Sequence, residues 1–261
     1  MALPDIQDQV DERGISLDNV GIDGVRMPST FSDGVTTQAG VASFEVVVQL
    51  PEDRRGTHMS RMVELVHEHL EVIDPRELPT VLKQAASRLD VGVATIGIGL
   101  PFATRVLSPV SGREAWQPSD LRLRATLRGD VFELVTSVTS EVTSLCPCSK
   151  AISDYGAHNQ RSVVTVDVHG HDDCPYPVSV ARLVELIRLT GSCPVFPIVK
   201  RPDERSITMT AFEHAAFVED MARDLSGLLR KQRVRHSVRV RNLESIHSHD
   251  AIASLSWRPE G

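Results

Sequence analysis

The run at residues 144–162, SLCPCSKAISDYGAHNQRS, sets Cys146 and Cys148 two positions apart and His158 twelve positions beyond the first. Thiol and imidazole are the ligand types of zinc and its transition-metal neighbours. Lys150 and Arg161 flank them, and cations beside such donors suit an anionic ligand. Free cysteines more commonly fill core space as small hydrophobes. The neighbours argue otherwise here, because Ser149, Asn159 and Gln160 are polar and few aliphatic residues are close in sequence. No second Cys-x-x-Cys pair exists to complete a four-thiolate structural site. The run reads as part of a metal centre that handles a charged small molecule.

Other segments carry further candidates. The sequence KRPDE at 200–204 sets Lys200 and Arg201 beside Asp203 and Glu204 in an expected turn. HSHD at 247–250 offers His247 and His249, whose rings would share a face if the segment were extended. Glu219 falls opposite the apolar stripe Phe217, Met221, Leu225 and Leu228 of an expected helix, and periodicity alone makes it a solvated carboxylate. His67 and His69 point apart on a helix. His169 and His171, beside Asp172, Asp173 and Cys174, read as a polar hairpin turn.

The elements that must position these residues follow from apolar spacing and turn chemistry. An alternating strand is expected at 41–50, ended by Pro51. Thr57 is the expected N-cap of a helix through Met59, Met62, Val63, Val66, Leu70 and Ile73. A second helix spans 77–89, and strands follow at 91–100 and 121–127. Strands at 131–145 and 162–168 come next, then a helix at 177–189 with Pro177 in its first turn. A longer helix is expected at 212–231 and closing strands at 234–244 and 251–257. The pattern repeats after roughly 130 residues, too long a period for a solenoid. It implies an α+β chain: a mobile segment at 1–17 and two tandem units at 18–129 and 130–261, each an antiparallel sheet with a helix pair on its outer face.

A formal charge of −7 excludes a general nucleic-acid binder, and a polyanion would need locally placed cations. Four cysteines, clustered, do not make a secreted disulfide framework. The start MALPDIQDQVDERG is acidic and has no apolar stretch, so no signal peptide is expected. No apolar run reaches membrane-spanning length. The expectation is a reduced, cytoplasmic protein that does not engage a membrane.

The 144–162 run closely resembles the signature of the type IB GTP cyclohydrolases. The resemblance extends to VGIDGVRMP (20–28), DRRGTHMSR (53–61), VKRPDE (199–204), FVEDM (217–221) and ESIHSHDA (244–251), in that order along the chain. It implies the tunnelling fold, and a homotetramer with active sites at subunit boundaries. It also implies hydrolysis of GTP to 7,8-dihydroneopterin 3′-triphosphate and formate, the first step of folate or pterin synthesis. Carried over residue by residue, it makes Cys146, His158, Glu204 and His249 the metal environment, for zinc, manganese or iron. Cys146, His158 and Glu204 are then also catalytic, and Glu219 anchors the purine or pterin ring. Lys150, Arg161, Lys200, Arg201, His58 and Arg61 become candidates for the triphosphate. AFEHAAFVED lacks the Asn-Pro that this family often carries after the glutamate in this stretch. Three alternatives remain open on sequence. One is an archaeal-type enzyme releasing the 2′,3′-cyclic phosphate of dihydroneopterin. Another is a sister nitrile reductase with a nucleophilic cysteine. The third is a non-catalytic metal-binding scaffold.

Overall fold

A computed structural model describes residues 6, 7 and 9–259. The chain opens with a long hairpin of β1 (Leu17–Ser32) and β2 (Thr37–Leu50), paired antiparallel with register shifts near Leu17/Val20 and Ile22/Val25. Between the two shifts the backbones come so close that a Cβ on Gly21 would lie 1.9 Å from the Val46 carbonyl oxygen. Asp33 closes the turn by accepting the N–H groups of Val35 and Thr36 at 2.9 and 2.7 Å. Sequence patterning missed β1 because its first ten residues are exposed or half-buried, so no apolar face marks them.

Helix α1 (Met59–His69) follows, then the short β3 (Val72–Ile73), which pairs parallel with β1. Thr57 is not the cap: His58 holds that position without a side-chain bond, and Thr57 is buried. Ile73 leaves the helix because it serves β3, where it is fully buried. Helix α2 (Leu78–Leu89) leads into the strands β4 (Val93–Leu107), β5 (Glu114–Arg128) and β6 (Val131–Leu145). A short α3 (Pro147–Ile152) precedes β7 (Asn159–His171), and α4 (Val180–Thr190) precedes β8 (Cys193–Pro194). Helices α5 (Arg201–Glu213) and α6 (Val218–Arg230) then lead to β9 (His236–Asn242) and β10 (Ala251–Trp257).

The expectation of two tandem sheets, each with one helix pair, is corrected by the strand order. A single ten-stranded sheet runs β10-β9-β7-β6-β5-β4-β2-β1-β3, with β8 attached to β6. It is not purely antiparallel, since β1 and β3 run parallel. The helices number six among the described residues rather than four. Two compact units exist, but each is assembled from separated pieces. One comprises the described part of Met1–Leu100 with Arg122–Thr136 and Gly170–Tyr176. The other comprises Pro101–Leu121, Ser137–His169 and Pro177 through the described C-terminal residues. The expected boundary at 129/130 therefore falls inside the first unit, in the β5–β6 turn. Residues 1–5 and 8 of the expected mobile segment lie outside the described residues. Residues 9–11 of it are tied down: Asp11 N–H donates to the Asp53 carbonyl, Arg55 N–H to the Gln9 carbonyl, and Val10 bridges to Arg54.

In the first unit, α1 packs on β1 and α2, and Met62, Leu65, Val66, Leu78, Leu82 and Ala85 are buried with Phe31, Phe44 and Ile96 of the sheet. In the second, α6 covers β9 and β10 and packs on α4, with Met221, Leu225 and Leu229 buried together with Leu183, Ile187, Val238 and Val240. The opposite strand faces carry cross-strand polar pairs. Arg124 donates to Glu45 at 2.8 Å in the first unit, while Ser137 and Ser237 both donate to Asp167, at 2.6 and 2.8 Å, in the second.

Two helix expectations change for local reasons. Helix α4 starts at Val180 rather than near Pro177 because the Ser179 side chain accepts the Arg182 N–H and fixes the cap. The expected 212–231 helix begins only at Val218, as α6, and its first two residues instead end α5. At the break, Ala216 N–H donates to the Leu145 carbonyl at 3.1 Å, and the Ala216 carbonyl accepts the Ser144 hydroxyl at 2.8 Å. With both backbone groups bound to the end of β6, they cannot serve a continuous helix. The KRPDE turn is likewise the start of α5.

Candidate active site

Strand β6 ends at Leu145, and Cys146 becomes the N-cap of α3, its Sγ accepting the Ser149 N–H at 3.4 Å. Pro147 fits the first helical turn, where no backbone donor is needed. The loop from Cys146 to His158 is closed on itself, because Cys146 N–H donates to the His158 carbonyl at 3.0 Å. The His158 N–H donates to the Ser149 hydroxyl at 3.4 Å. Thiol and imidazole are thus neighbours by backbone pairing, not by sequence spacing. Cys146 is partly exposed and Cys148 exposed.

A cavity of about 360 Å³ opens here, within the range of small-molecule sites. Cys146, Cys148, His158, Glu219, His247 and His249 line it, with Ser144, Gln160, Asn242 and Glu244 among the others. All belong to the second unit. Glu219 reaches it from the first turn of α6, where Phe217 N–H is capped by Asp220 and a carboxylate is favoured by the helix dipole. The buried stripe of α6 is Val218, Met221, Ala222, Leu225, Ser226 and Leu229, which leaves Glu219 exposed.

Beneath the cavity lies a closed polar relay. The Ser162 hydroxyl donates to Asn242 Oδ1 at 2.5 Å, Asn242 Nδ2 donates to Ser144 Oγ at 3.0 Å, and Ser144 donates to the Ala216 carbonyl. These three side chains are nearly fully buried and satisfied, so they fix the loop from which α6 starts. The segment between β9 and β10 is a bend, not a strand, yet its His247 and His249 rings stack with centroids 5.3 Å apart. Asp250 anchors that bend by accepting both Arg241 Nε at 2.7 Å and Nη2 at 2.6 Å, and the Glu244 N–H at 3.3 Å. The Arg241 guanidinium holds the Asp250 carboxyl below its ordinary value, against the opposing effect of burial, and the Glu244 N–H assists.

Other expected site residues lie elsewhere. Glu204 is not among the residues lining this cavity. It stands in the first turn of α5 and lines another hollow of about 450 Å³ with Arg201, Arg205, Thr208 and Met209. Lys150 is engaged: its Nζ donates to the Phe212 carbonyl at the end of α5 and lies 4.5 Å from that ring's centroid. Arg161 is paired with Glu141 at 2.9 Å. Lys200 caps α5, its N–H donating to Asp203 at 2.8 Å. His58 and Arg61 belong to the first unit, at the start of α1.

Asp203 itself is fully buried and accepts four donors: the Val110 N–H, the Ser111 N–H and hydroxyl, and the Lys200 N–H. Burial alone would push its carboxyl up. The Ser111 hydroxyl and N–H, then Lys200 and Val110, outweigh this and hold it well below the usual carboxylate range.

Thiol, imidazole and carboxylate around one cavity form a donor set suited to a borderline-soft divalent ion. Among the described residues, however, no three His, Cys, Asp or Glu side chains stand gathered as a finished cluster. Sequence reading missed Gln160, Glu244, Ser144 and Asn242 as site residues. Gln160, Glu244 and Ser144 lie inside motifs it had singled out, but their roles depend on pairing across the sheet.

The geometry defines an α+β protein with a polar, thiol- and imidazole-lined small-molecule site. Among solved structures, the fold is shared with a uricase from Arthrobacter globiformis, with TM-score 0.52 and 10% identity over 94% of each chain. Urate oxidase from Bacillus subtilis 168 matches with TM-score 0.51 and 8% identity, over 92% of this chain and 98% of that one. At such identities the likeness concerns fold alone.

Sequence comparison identifies the family. The family model described as Type I GTP cyclohydrolase folE2 matches residues 3–253, and the chain belongs to that family. A GTP cyclohydrolase FolE2 of Magnetococcus marinus is 40% identical over 98% of this chain and 96% of its own length. Its counterpart in Neisseria gonorrhoeae is 36% identical over 98% and 99%. That of Fervidobacterium nodosum is 36% identical over 97% of each. The type IB label and the tunnelling-fold superfamily of the sequence expectation are replaced by the description of the matching model, which carries neither.

Proposed function

We propose that this chain is a GTP cyclohydrolase of folate biosynthesis that hydrolyses GTP to 7,8-dihydroneopterin 3′-triphosphate and formate with the help of a divalent metal. The observation that carries the proposal is the near-full-length likeness to GTP cyclohydrolases FolE2. The joint lining of one cavity by Cys146, His158, His249 and Glu219 supports it.

Cys146 and His158 would hold the ion, with His249 as the third donor from the facing bend. Zinc and iron suit a thiol–imidazole set, while manganese, which favours oxygen donors, is the least well matched of the three. When bound, such an ion supplies Lewis-acid polarisation and a source of hydroxide near neutral pH. Glu219, acceptor-only when ionised, matches the paired donors N1–H and 2-amino of guanine and orients the base. His247 and Glu244, on the rim, are of the right type to move protons at the ring nitrogens and at the formyl group. Lys150, Arg161, Lys200, Arg201, His58 and Arg61 stand as candidates for the triphosphate. A homotetramer with sites at subunit boundaries and a cytoplasmic location complete the reading. Among the described residues, no helix is long and apolar enough to cross a membrane.

The test is product analysis. Purified protein loaded in turn with zinc, manganese and iron should release formate from GTP and give a pterin that fluoresces after oxidation. Absence of formate with all three metals would refute the activity. Mass spectrometry distinguishes the linear triphosphate from a 2′,3′-cyclic phosphate.

A further inference from the structure

His158 has two ring nitrogens, and only one can carry a lone pair into the cavity while the other bears the proton. Its Nδ1 lies 2.8 Å from Gln160 Oε1. The orientation of the Gln160 amide is decided by a third group: its Nε2 lies 3.5 Å from Glu244 Oε1, and a carboxylate only accepts. The amide must therefore turn its N–H groups to Glu244 and its carbonyl to His158. A carbonyl also only accepts, so the proton of His158 belongs on Nδ1. Ser245 fits the same scheme, because its hydroxyl lies 3.4 Å from both Nδ1 and Gln160 Oε1 and donates to the latter. Gln160 is buried at 8% exposure, so water does not compete freely for these positions.

We propose that Gln160 is a positioning residue that locks His158 in the Nδ1–H tautomer, and that Glu244 in turn fixes which way the Gln160 amide faces. Nε2 is then the one nitrogen His158 can offer as a ligand or base. An unconstrained neutral imidazole favours the opposite tautomer, with the proton on Nε2, so the lock selects a minor form and orients the ring before anything binds. Partners of this kind on a ligating histidine commonly change metal affinity by about 10–100-fold when removed. The metal half of this statement rests on the proposed role of His158; the tautomer half does not.

The test uses the full-length, metal-free chain with ¹⁵N-labelled histidine. In the parent protein, long-range ¹H–¹⁵N spectra should show His158 Nδ1 as the protonated nitrogen and Nε2 as the unprotonated one. Gln160→Leu removes the acceptor with little change in size, and His158 should shift toward the Nε2–H form or a mixture. The exchanged pair Gln160→Glu with Glu244→Gln should restore the parent pattern. In that double variant the relocated amide donates to the relocated carboxylate, and the carboxylate accepts from His158 Nδ1. Zinc affinity, read by competition with a chelator, should fall about 10–100-fold in Gln160→Leu and recover in the exchanged pair. An Nε2–H tautomer in the parent, or an unchanged Nδ1–H tautomer in a folded Gln160→Leu, overturns the lock. A changed tautomer with unchanged zinc affinity supports the lock and overturns His158 as a metal ligand.

Discussion

At the residue scale, the candidate site divides the work among groups that are far apart in sequence. In the proposed reading Glu219 would offer two carboxylate oxygens to a guanine edge, and each hydrogen bond to a charged group is worth about 1.5–3 kcal/mol. Glu219→Ala should therefore lower kcat/KM for GTP by at least about a hundredfold. Backbone amide spectra should show α6 intact; full activity in this variant would remove Glu219 from substrate recognition. Cys146→Ala should abolish both metal retention and turnover, whereas Cys148→Ala, at an exposed position on α3, should retain most of both. Equal losses by metal analysis and formate assay would mean that Cys146 is not the distinctive thiol of the site. Cys146 and His158 were legible as a pair because thiol and imidazole in polar company have few structural uses. Their union with His249 and Glu219 was legible only through family resemblance, since nothing in the spacing links residues 146 and 249.

At the element scale, pattern reading succeeded where a buried face exists and failed where it does not. β6 was located to its ends because every second residue from Phe132 to Ser144 is buried. Helix α5 was missed because only Asp203 and Ala211 of its thirteen residues are buried, and α3 because none is. Both helices are held by other means: α5 by Asp203 at one end and the Lys150 ammonium on its last carbonyls at the other. Helix α6 shows the contrary case. Leu225, fully buried against β9 and β10, belongs to an apolar stripe, so Leu225→Ala should cost about 2–5 kcal/mol in urea unfolding. Loss of less than about 1 kcal/mol would mean that the α6–sheet contact is not a packed core. For α5 the expected lesion is local: Asp203→Ala should expose the β4–β5 turn to limited proteolysis near residues 108–112 while the rest of the chain resists. Uniform resistance across both segments would show that this carboxylate does not hold them together.

At the scale of the whole molecule, pH should act in two stages with the same sign. Burial, reinforced by Arg230 and His169, lowers the His236 imidazole, although its bond to the Val234 carbonyl opposes this. The unfolded chain then takes up the proton first. Stability is complete above the ordinary histidine value of about 6.5 and declines as pH falls through the lowered folded value. For one proton the slope cannot exceed about 1.4 kcal/mol per pH unit. Asp74, held low by Arg76, and Asp250 and Asp203, as described, add a second stage that begins below the ordinary aspartate value of about 4. Urea midpoints measured from pH 8 to 3 should show both stages, and His236→Phe should remove the upper one. A flat midpoint between pH 7 and 5 in the parent protein would contradict the buried neutral histidine.

The four donors gathered by Asp203 also impose an order of events on folding. The amides of Val110 and Ser111 find their acceptor 93 and 92 residues further along the chain. During synthesis, at about 5–20 residues per second, the β4–β5 turn therefore waits several seconds without its partner. Strands β4 and β5 can pair in that interval, but their connecting turn becomes native only when α5 arrives. That turn should be among the last parts of the protein to gain protection from hydrogen exchange in a refolding experiment.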